Sequence, residues 1–357
     1  MVLQETSELS SLVGVSTRVG SDPLLVQAAT GNTSVKLDGV LWIKASGKWL
    51  AHASKEEIFL PLNLSETRRL VERGIDPSGQ TAVVDGRVLG SSVETAMHAV
   101  LQHPVVIHVH SINTITWSVL SGGKAALSGR LEGINWKWVP YTASGLALAA
   151  AVKQAAESTP DASVFVLANH GVVVCGNTTA AAEALLREVE RRIAIAPRPT
   201  PQPRWDALNR LAESGKWWVP QRTASHAPAL DETARNVLTG GVLYPCQAIF
   251  LTDKTRLLPE DATADTLDAA AGEPFVLIEN VGVLIGEHSN PTEAATFSGL
   301  VEVLTRVPEG HAVNYLTAKE VGDLLSADCY RYRELVEGFG RIPVIRETTP
   351  SEVRLVS

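Results

Sequence analysis

The chain has few cysteines, no excess of basic charge and no long apolar run. Cys175, Cys246 and Cys329 are odd in number and far apart, so free thiols in a reducing cytoplasm are the simplest account of them. A net charge of −8 without a basic stripe argues against nucleic acid as the natural partner. Nothing approaches a membrane-spanning length, and the opening MVLQETSELSS is too polar for a secretory signal, so no membrane association is expected. What the chain does have is length: 357 residues exceed one average domain and can bury a sizeable core.

The chemistry is expected in SSVETAMHAVLQHPVVIHVH, residues 91–110. Its first half has helical apolar spacing, with Ser91 or Ser92 as N-cap, and this places Glu94 and His98 on one face, four residues apart. Its second half is β-branched and alternates at its end, so His108 and His110 point the same way from a strand. An HxH pair alone is more often structural than ligating. A third imidazole changes the balance. His170 lies between two apolar runs in VFVLANHGVVVCG, next to Gly171, which permits close backbone approach. Three histidines with an acid compose a catalytic zinc site that keeps one coordination position open.

Upstream, AATGNTSVKLDGVLWIKASGKW reads as two strands joined by a tight turn at Asp38-Gly39. The small residues Thr30 to Ser34 precede the first strand, and Ser46-Gly47 follow the second. Both therefore sit at the same end of the hairpin, a cluster suited to an oxyanion or phosphate, though either piece alone could be an ordinary turn. Lys44 and Lys48 read as solvated surface charges. A first helix is expected within Ser10 to Val26 and a loop from Ile58 to Leu64. Ser65 is expected to cap the next helix, and a second hairpin to turn at Asp85-Gly86.

Beyond His110, helices are expected at 113–120, 144–157 and 178–195, with a strand in GINWKWVPY whose Trp136 and Trp138 pack in the core or at an interface. Four prolines within APRPTPQPRW then interrupt the pattern, and this stretch reads as a linker. After it, FVLIENVGVLIG matches VFVLANHGVVVC at one fixed offset: Asn280 takes the place of Asn169, Gly282 of Gly171 and Val281 of His170. A weaker alignment of YPCQAIFLT with HPVVIHVHS replaces His108 and His110 by Ile249 and Leu251. The C-terminal half thus reads as a repeat that kept the strands and lost the ligands. A last helix is expected from Thr317, in capping-box spacing with Glu320, through the Tyr330–Arg333 cluster.

SSVETAMH, HVH and ANHG, with TGNTSVK and KASG before them, resemble in order the motifs of the class II aldolase/adducin family over roughly residues 10–195. The resemblance implies a zinc-dependent aldolase-type lyase acting through an enediolate on a small phosphorylated sugar or sugar acid. It implies His108, His110 and His170 as metal ligands and Glu94 as the base, able to ligate the resting metal. It places the substrate phosphate at Asn32, Ser46, Gly47, Ser91 and Ser92, with Thr30 and Gly31 shaping the loop and a helix N-terminus at Ser91-Ser92 adding its dipole. The Glu94 pKa is expected to rise while no metal is bound and to fall beside one. One departure stands out: SGGKAALSGRLEG contains no counterpart of the family's proton-donating tyrosine. Epimerisation, decarboxylation or dehydration on the same site are therefore alternatives, and a metal-free adducin-like interaction protein is a further one. The expected fold is a three-layer α/β/α sandwich around a mixed, largely antiparallel sheet. Residues 1–196 form the expected catalytic domain, 197–205 the linker and 206–357 a related, degenerate α/β module. A homo-oligomer is expected.

Overall fold

The computed structural model describes residues 7–84 and 86–326. The expected helix beyond Ser326, with Cys329, Tyr330, Arg331, Tyr332 and Arg333, lies outside them. Seven strands form the main sheet: β1 (Asn32–Leu37), β2 (Val40–Lys44), β3 (Phe59–Asn63), β6 (Val105–Val109), β7 (Trp136–Val139), β8 (Val164–Leu167) and β9 (Gly171–Gly176). Between β3 and β6, β4 (Thr81–Val84) and β5 (Arg87–Gly90) make a separate hairpin. The order across the main sheet is β3-β2-β1-β6-β9-β8-β7, antiparallel throughout except for the β7–β8 pair.

Alternation along the buried central strands sends side chains to two cores. Val105, Ile107, Val109, Val172 and Val174 pack toward helices Ser7–Gly20 and Thr179–Ile193. Val106, Phe165, Leu167 and Val173 pack toward Met97 and the helix Leu146–Ser158. Helices thus cover both faces, giving three layers. Asp38 and Gly39 take positive φ (48° and 79°) in the β1–β2 turn, as a two-residue hairpin requires.

Behind the proline-rich stretch lies a second sheet, β10 (Trp217–Trp218), β11 (Leu257–Leu258), β12 (Phe275–Ile278) and β13 (Gly282–Gly286), in the order β10-β13-β12-β11. Its β12–β13 hairpin repeats the register of β8–β9. Leu277 faces Val283 as Val166 faces Val172, and Asn280 (φ 56°) repeats the left-handed turn of Asn169 (φ 53°). The two halves share a core. Ile112, Ile115 and Val119 of helix Ile112–Val119 pack with Phe297, Leu300 and Leu304 of helix Pro291–Arg306.

Four expectations about local structure are corrected. Residues 59–63 form β3 rather than a loop. Pro61 is tolerated there because β3 is an edge strand. The following helix, Leu64–Glu72, is capped by Asn63, not Ser65: the Asn63 carboxamide oxygen accepts the Glu66 N–H at 2.9 Å. The first helix spans Ser7–Gly20 and ends before Pro23. Pro245–Phe250 is a helix, not the strand that the weaker repeat alignment implies, with Pro245 in its first turn, where a missing N–H costs nothing. Among the described residues no helix is long and apolar enough to cross a membrane.

One half-buried acid sets a pH-dependent cost. Glu190, on helix Thr179–Ile193, accepts from Asn113 Nδ2 at 3.0 Å, and burial outweighs the Ser111 and Asn113 hydrogen bonds to raise its pKa. A carboxyl raised in the folded state favours folding while protonated and loses that contribution as pH rises through the folded value. Glu190→Gln should therefore melt above wild type at pH 8, with the difference shrinking toward pH 4. Melting curves across that range, at equal metal content, test this.

Candidate metal centre

The three histidines come together at one end of the main sheet. His108 is on β6, His110 directly follows it, and His170 is in the β8–β9 turn. Pairing of β6 with β9 sets Val109 opposite Val172, which brings the turn beside His110. Gly171 makes this possible, because a Cβ there would lie 2.3 Å from the Val109 carbonyl oxygen and 3.2 Å from His110 Cα. The ring centroids stand 5.0 Å (His108–His110), 5.0 Å (His108–His170) and 4.8 Å (His110–His170) apart. One ligand nitrogen from each lies within 4.8 Å of the others, and all three side chains are buried.

Glu94 closes the group. Its Oε2 is 3.3 Å from His108 Nε2 and its Oε1 is 3.3 Å from His170 Nε2. His108 Nδ1 is 3.1 Å from the Val172 carbonyl oxygen, which only accepts, so Nδ1 carries the proton of the neutral ring. Its Nε2 lone pair then faces a carboxylate oxygen, and this buried nitrogen has no hydrogen-bond partner. Two lone pairs opposed in a buried site call for a cation between them. The residues present therefore fit a divalent metal: three imidazoles and one carboxylate, with ring orientation set by outer hydrogen bonds.

The surrounding bonds hold Glu94 in place. Asn32 pairs with His108 across β1–β6, and its Nδ2 donates to Glu94 Oε2 (2.7 Å) and to Ser92 Oγ (3.0 Å). Asn32 Oδ1 accepts from His98 Nε2 at 2.5 Å, and His98 Nδ1 in turn accepts from Ser34 Oγ at 2.7 Å. His98 thus reaches Glu94 through Asn32 rather than along a helix face. Glu94 is itself the residue before helix Thr95–Val100, which is six residues long. The expected cap at Ser91 or Ser92 is therefore corrected: the helix starts at Thr95, beyond Ser91-Ser92, and lends them no N-terminal dipole for a phosphate.

The expected rise of the Glu94 pKa without metal does not hold. Burial pushes it up, but His108, His170, His110 and the Asn32 bond outweigh that and hold it well below the ordinary carboxylate range. Burial lowers His110 well below its usual value and His170 to about 4. At neutral pH the site thus offers an anionic carboxylate beside neutral His110 and His170 rings, the protonation state that metal ligation requires of them.

The candidate phosphate residues converge on the same end of the sheet. A backbone bridge joins Ala45 to Ser91, setting Ser46-Gly47 beside Ser91-Ser92, while Asn32 reaches Ser92. Several of their polar groups already have partners. Thr30 Oγ1 donates to the Gln27 carbonyl oxygen (2.6 Å), Ser91 Oγ to that of Pro77 (3.0 Å), and the Ser46 N–H to that of Gly90 (2.9 Å). Gly31 and Gly47 take positive φ (65° and 73°). Lys44 and Lys48 are buried, not solvated. The Lys44 ammonium donates to the carbonyl oxygens of Ala29 (2.9 Å) and Lys48 (2.7 Å), tying the two loops together, and burial lowers its pKa to about 7. Lys48 pairs with Glu56 at 2.5 Å.

A profile of the "Class II Aldolase and Adducin N-terminal domain" matches residues 12–196. The chain belongs to the class II aldolase and adducin N-terminal domain family. It is similar to the uncharacterized oxidoreductase YuxG of Bacillus subtilis (strain 168), at 24% identity over 300 residues, covering 78% of this chain and 40% of that protein. The chain thus spans 40% of the length of this curated relative. Among solved structures it resembles the N-terminal class II aldolase domain of a conserved protein from Thermoplasma acidophilum, at 22% identity. That match covers 54% of this chain and 94% of the other, with TM-score 0.44. It also resembles L-fuculose-1-phosphate aldolase from Thermus thermophilus, at 19% identity, covering 52% and 91%, with TM-score 0.37.

Residues around this class II aldolase-family centre that the sequence reading missed come from distant segments. Ser144, exposed, donates to Glu94 Oε1 at 3.3 Å. Cys246, from the C-terminal half, places Sγ 3.3 Å from His110 Nδ1. Cys175 and Cys246 are both buried free thiols. Burial pushes the Cys175 thiol up to about 12 and raises that of Cys246 as well, which favours the protonated thiol at both. Proximity to the Ala-rich helix could have suggested Ser144, but nothing local marks Cys246.

Proposed function

We propose that the protein is a zinc-dependent lyase of the aldolase type that acts on a small phosphorylated sugar or sugar acid. The observation that carries this reading is the unpartnered His108 Nε2 facing Glu94 Oε2 inside a cluster of three buried imidazoles. His108, His110 and His170 would hold the ion, and the nitrogen-rich donor set favours zinc. Bound there, the metal would act as a Lewis acid toward the substrate's carbonyl and neighbouring hydroxyl oxygens.

Glu94 would move a proton at the carbon next to that carbonyl, with Asn32 holding one carboxylate oxygen while the other lies between His170 Nε2 and the Ser144 hydroxyl. Thr30, Gly31, Asn32, Ser46, Gly47, Ser91 and Ser92 would bind the phosphate through backbone N–H groups and hydroxyls rather than a helix end. Residues 1–196 would carry this chemistry, with the segment from 206 onward as a second unit and the working form a homo-oligomer. Because residues 121–133 contain no tyrosine, epimerisation, decarboxylation or dehydration through the same proton transfer is the second reading.

A screen of ketose phosphates and phosphorylated keto acids tests both. Turnover should require about one zinc per chain, disappear with a chelator and return on adding zinc, and the corresponding unphosphorylated compounds should be poor substrates. Zinc-loaded protein that transforms no phosphorylated compound, or turnover that a chelator leaves untouched, would sink the reading.

A further inference from the structure

The C-terminal half, which lies outside the residues matched by the family profile, reaches two of the three metal-ligand candidates from outside the cluster. Cys246, at the start of helix Pro245–Phe250, is buried with Sγ 3.3 Å from His110 Nδ1. Asn169, the residue before His170, donates its Nδ2 to the carbonyl oxygens of Leu243 and Asn314, both at 2.8 Å. The Asn169 N–H also donates to Ser118 Oγ at 3.1 Å, on a helix whose apolar face packs into the C-terminal core. The chain around Asn314 is itself stapled in place, with its N–H on the Val119 carbonyl oxygen (2.7 Å) and the Leu316 N–H on that of Val242 (2.8 Å).

We propose that the C-terminal unit is a positioning element of the metal centre: Cys246 orients His110, and the carbonyls of Leu243 and Asn314 clamp the turn that carries His170. This rests on the metal reading above. An imidazole that ligates through Nε2 must keep its proton on Nδ1, so the Cys246 sulfur has to accept that N–H. Were the thiol to donate instead, Nε2 would carry the proton and could not bind. Outer partners of this kind set ring orientation and ligand basicity, and their loss typically weakens metal binding by about 10–100-fold. Sulfur is a weak acceptor, so the lower end is expected here.

Cys246→Val, Cys246→Ser and Asn169→Gly in the full chain test this. Glycine retains the left-handed backbone at 169 while removing the clamp. Zinc affinity is read by competition with a chromogenic chelator, ligand geometry by the visible bands of the cobalt-loaded protein, and the fold by melting of the metal-free forms. Cys246→Val and Asn169→Gly should each weaken zinc binding about tenfold, and Cys246→Val should shift the cobalt bands. Cys246→Ser, which restores an acceptor, should bind within about threefold of wild type. The proposal is overturned if the valine and glycine variants bind zinc as tightly as wild type with superimposable cobalt spectra. It is equally overturned if serine loses as much as valine, which would make the effect one of packing. Wild-type protein that takes up no metal would overturn the metal reading, and this proposal with it. Failure of the variants alone leaves the metal reading standing.

Discussion

His108→Ala should abolish tight metal binding, so that zinc content falls from about one ion per chain to a trace. The substitution would remove one of the three candidate nitrogen ligands, on the central strand of the sheet. His108 lies on that strand two residues after Val106 and two before His110, which follows the strand, with its Nδ1–H held by the Val172 carbonyl oxygen. Loss of an outer-shell partner costs metal affinity about 10–100-fold, and loss of one of three protein ligands should exceed that. Turnover should vanish with the ion. The fold should survive, because losing the Nδ1 bond to the Val172 carbonyl oxygen costs only about 1–3 kcal/mol. Elemental analysis and a melting curve on the same preparation give the result. A variant that keeps one zinc per chain would remove His108 from the site.

Glu94→Gln should separate metal binding from chemistry. The three imidazoles remain, so zinc content should stay near one per chain. The amide oxygen can still accept from Asn32 Nδ2, so the side chain should keep its place. What the variant lacks is a basic oxygen to take a proton, and a positioned general base typically contributes about 10²–10⁴-fold. The expected result is a fall of that size in kcat with KM little changed, measured on whichever phosphorylated substrate the screen yields. Turnover within a few-fold of wild type would take Glu94 out of the mechanism. A fall in zinc content as large as the fall in rate would make it a ligand first and a base second.

Local sequence carried much of the sheet. Asp38-Gly39 announced its hairpin because only residues tolerant of positive φ fit such a turn. The matching runs around Asn169 and Asn280 announced two hairpins of one register. Where local reading failed, the cause was local ambiguity. FLPLN contains a proline and reads as irregular, until its place at the sheet edge makes the missing N–H harmless. PCQAIF and PVVIHV both follow proline with apolar residues, and six positions are too few for a period of 3.6 to be told from one of 2. Ser91 and Ser92 have the chemistry of caps, yet their bonds go to Pro77, Asn32 and Glu94, partners that a linear pattern does not show.

From its letters alone the chain declared its ligand types: an HxH pair whose spacing on a strand puts both rings on one side, a third histidine poised before glycine, and an acid upstream. That much follows from strand periodicity and from the chemistry of imidazole. The folded arrangement alone decided that these groups meet, through the β6–β9 pairing and the clearance over Gly171. It alone decided that Lys44 is a buried tie between loops and that Cys246 lies against His110. Such contacts join residues far apart in the chain, and no repeat or propensity encodes a distance across the core.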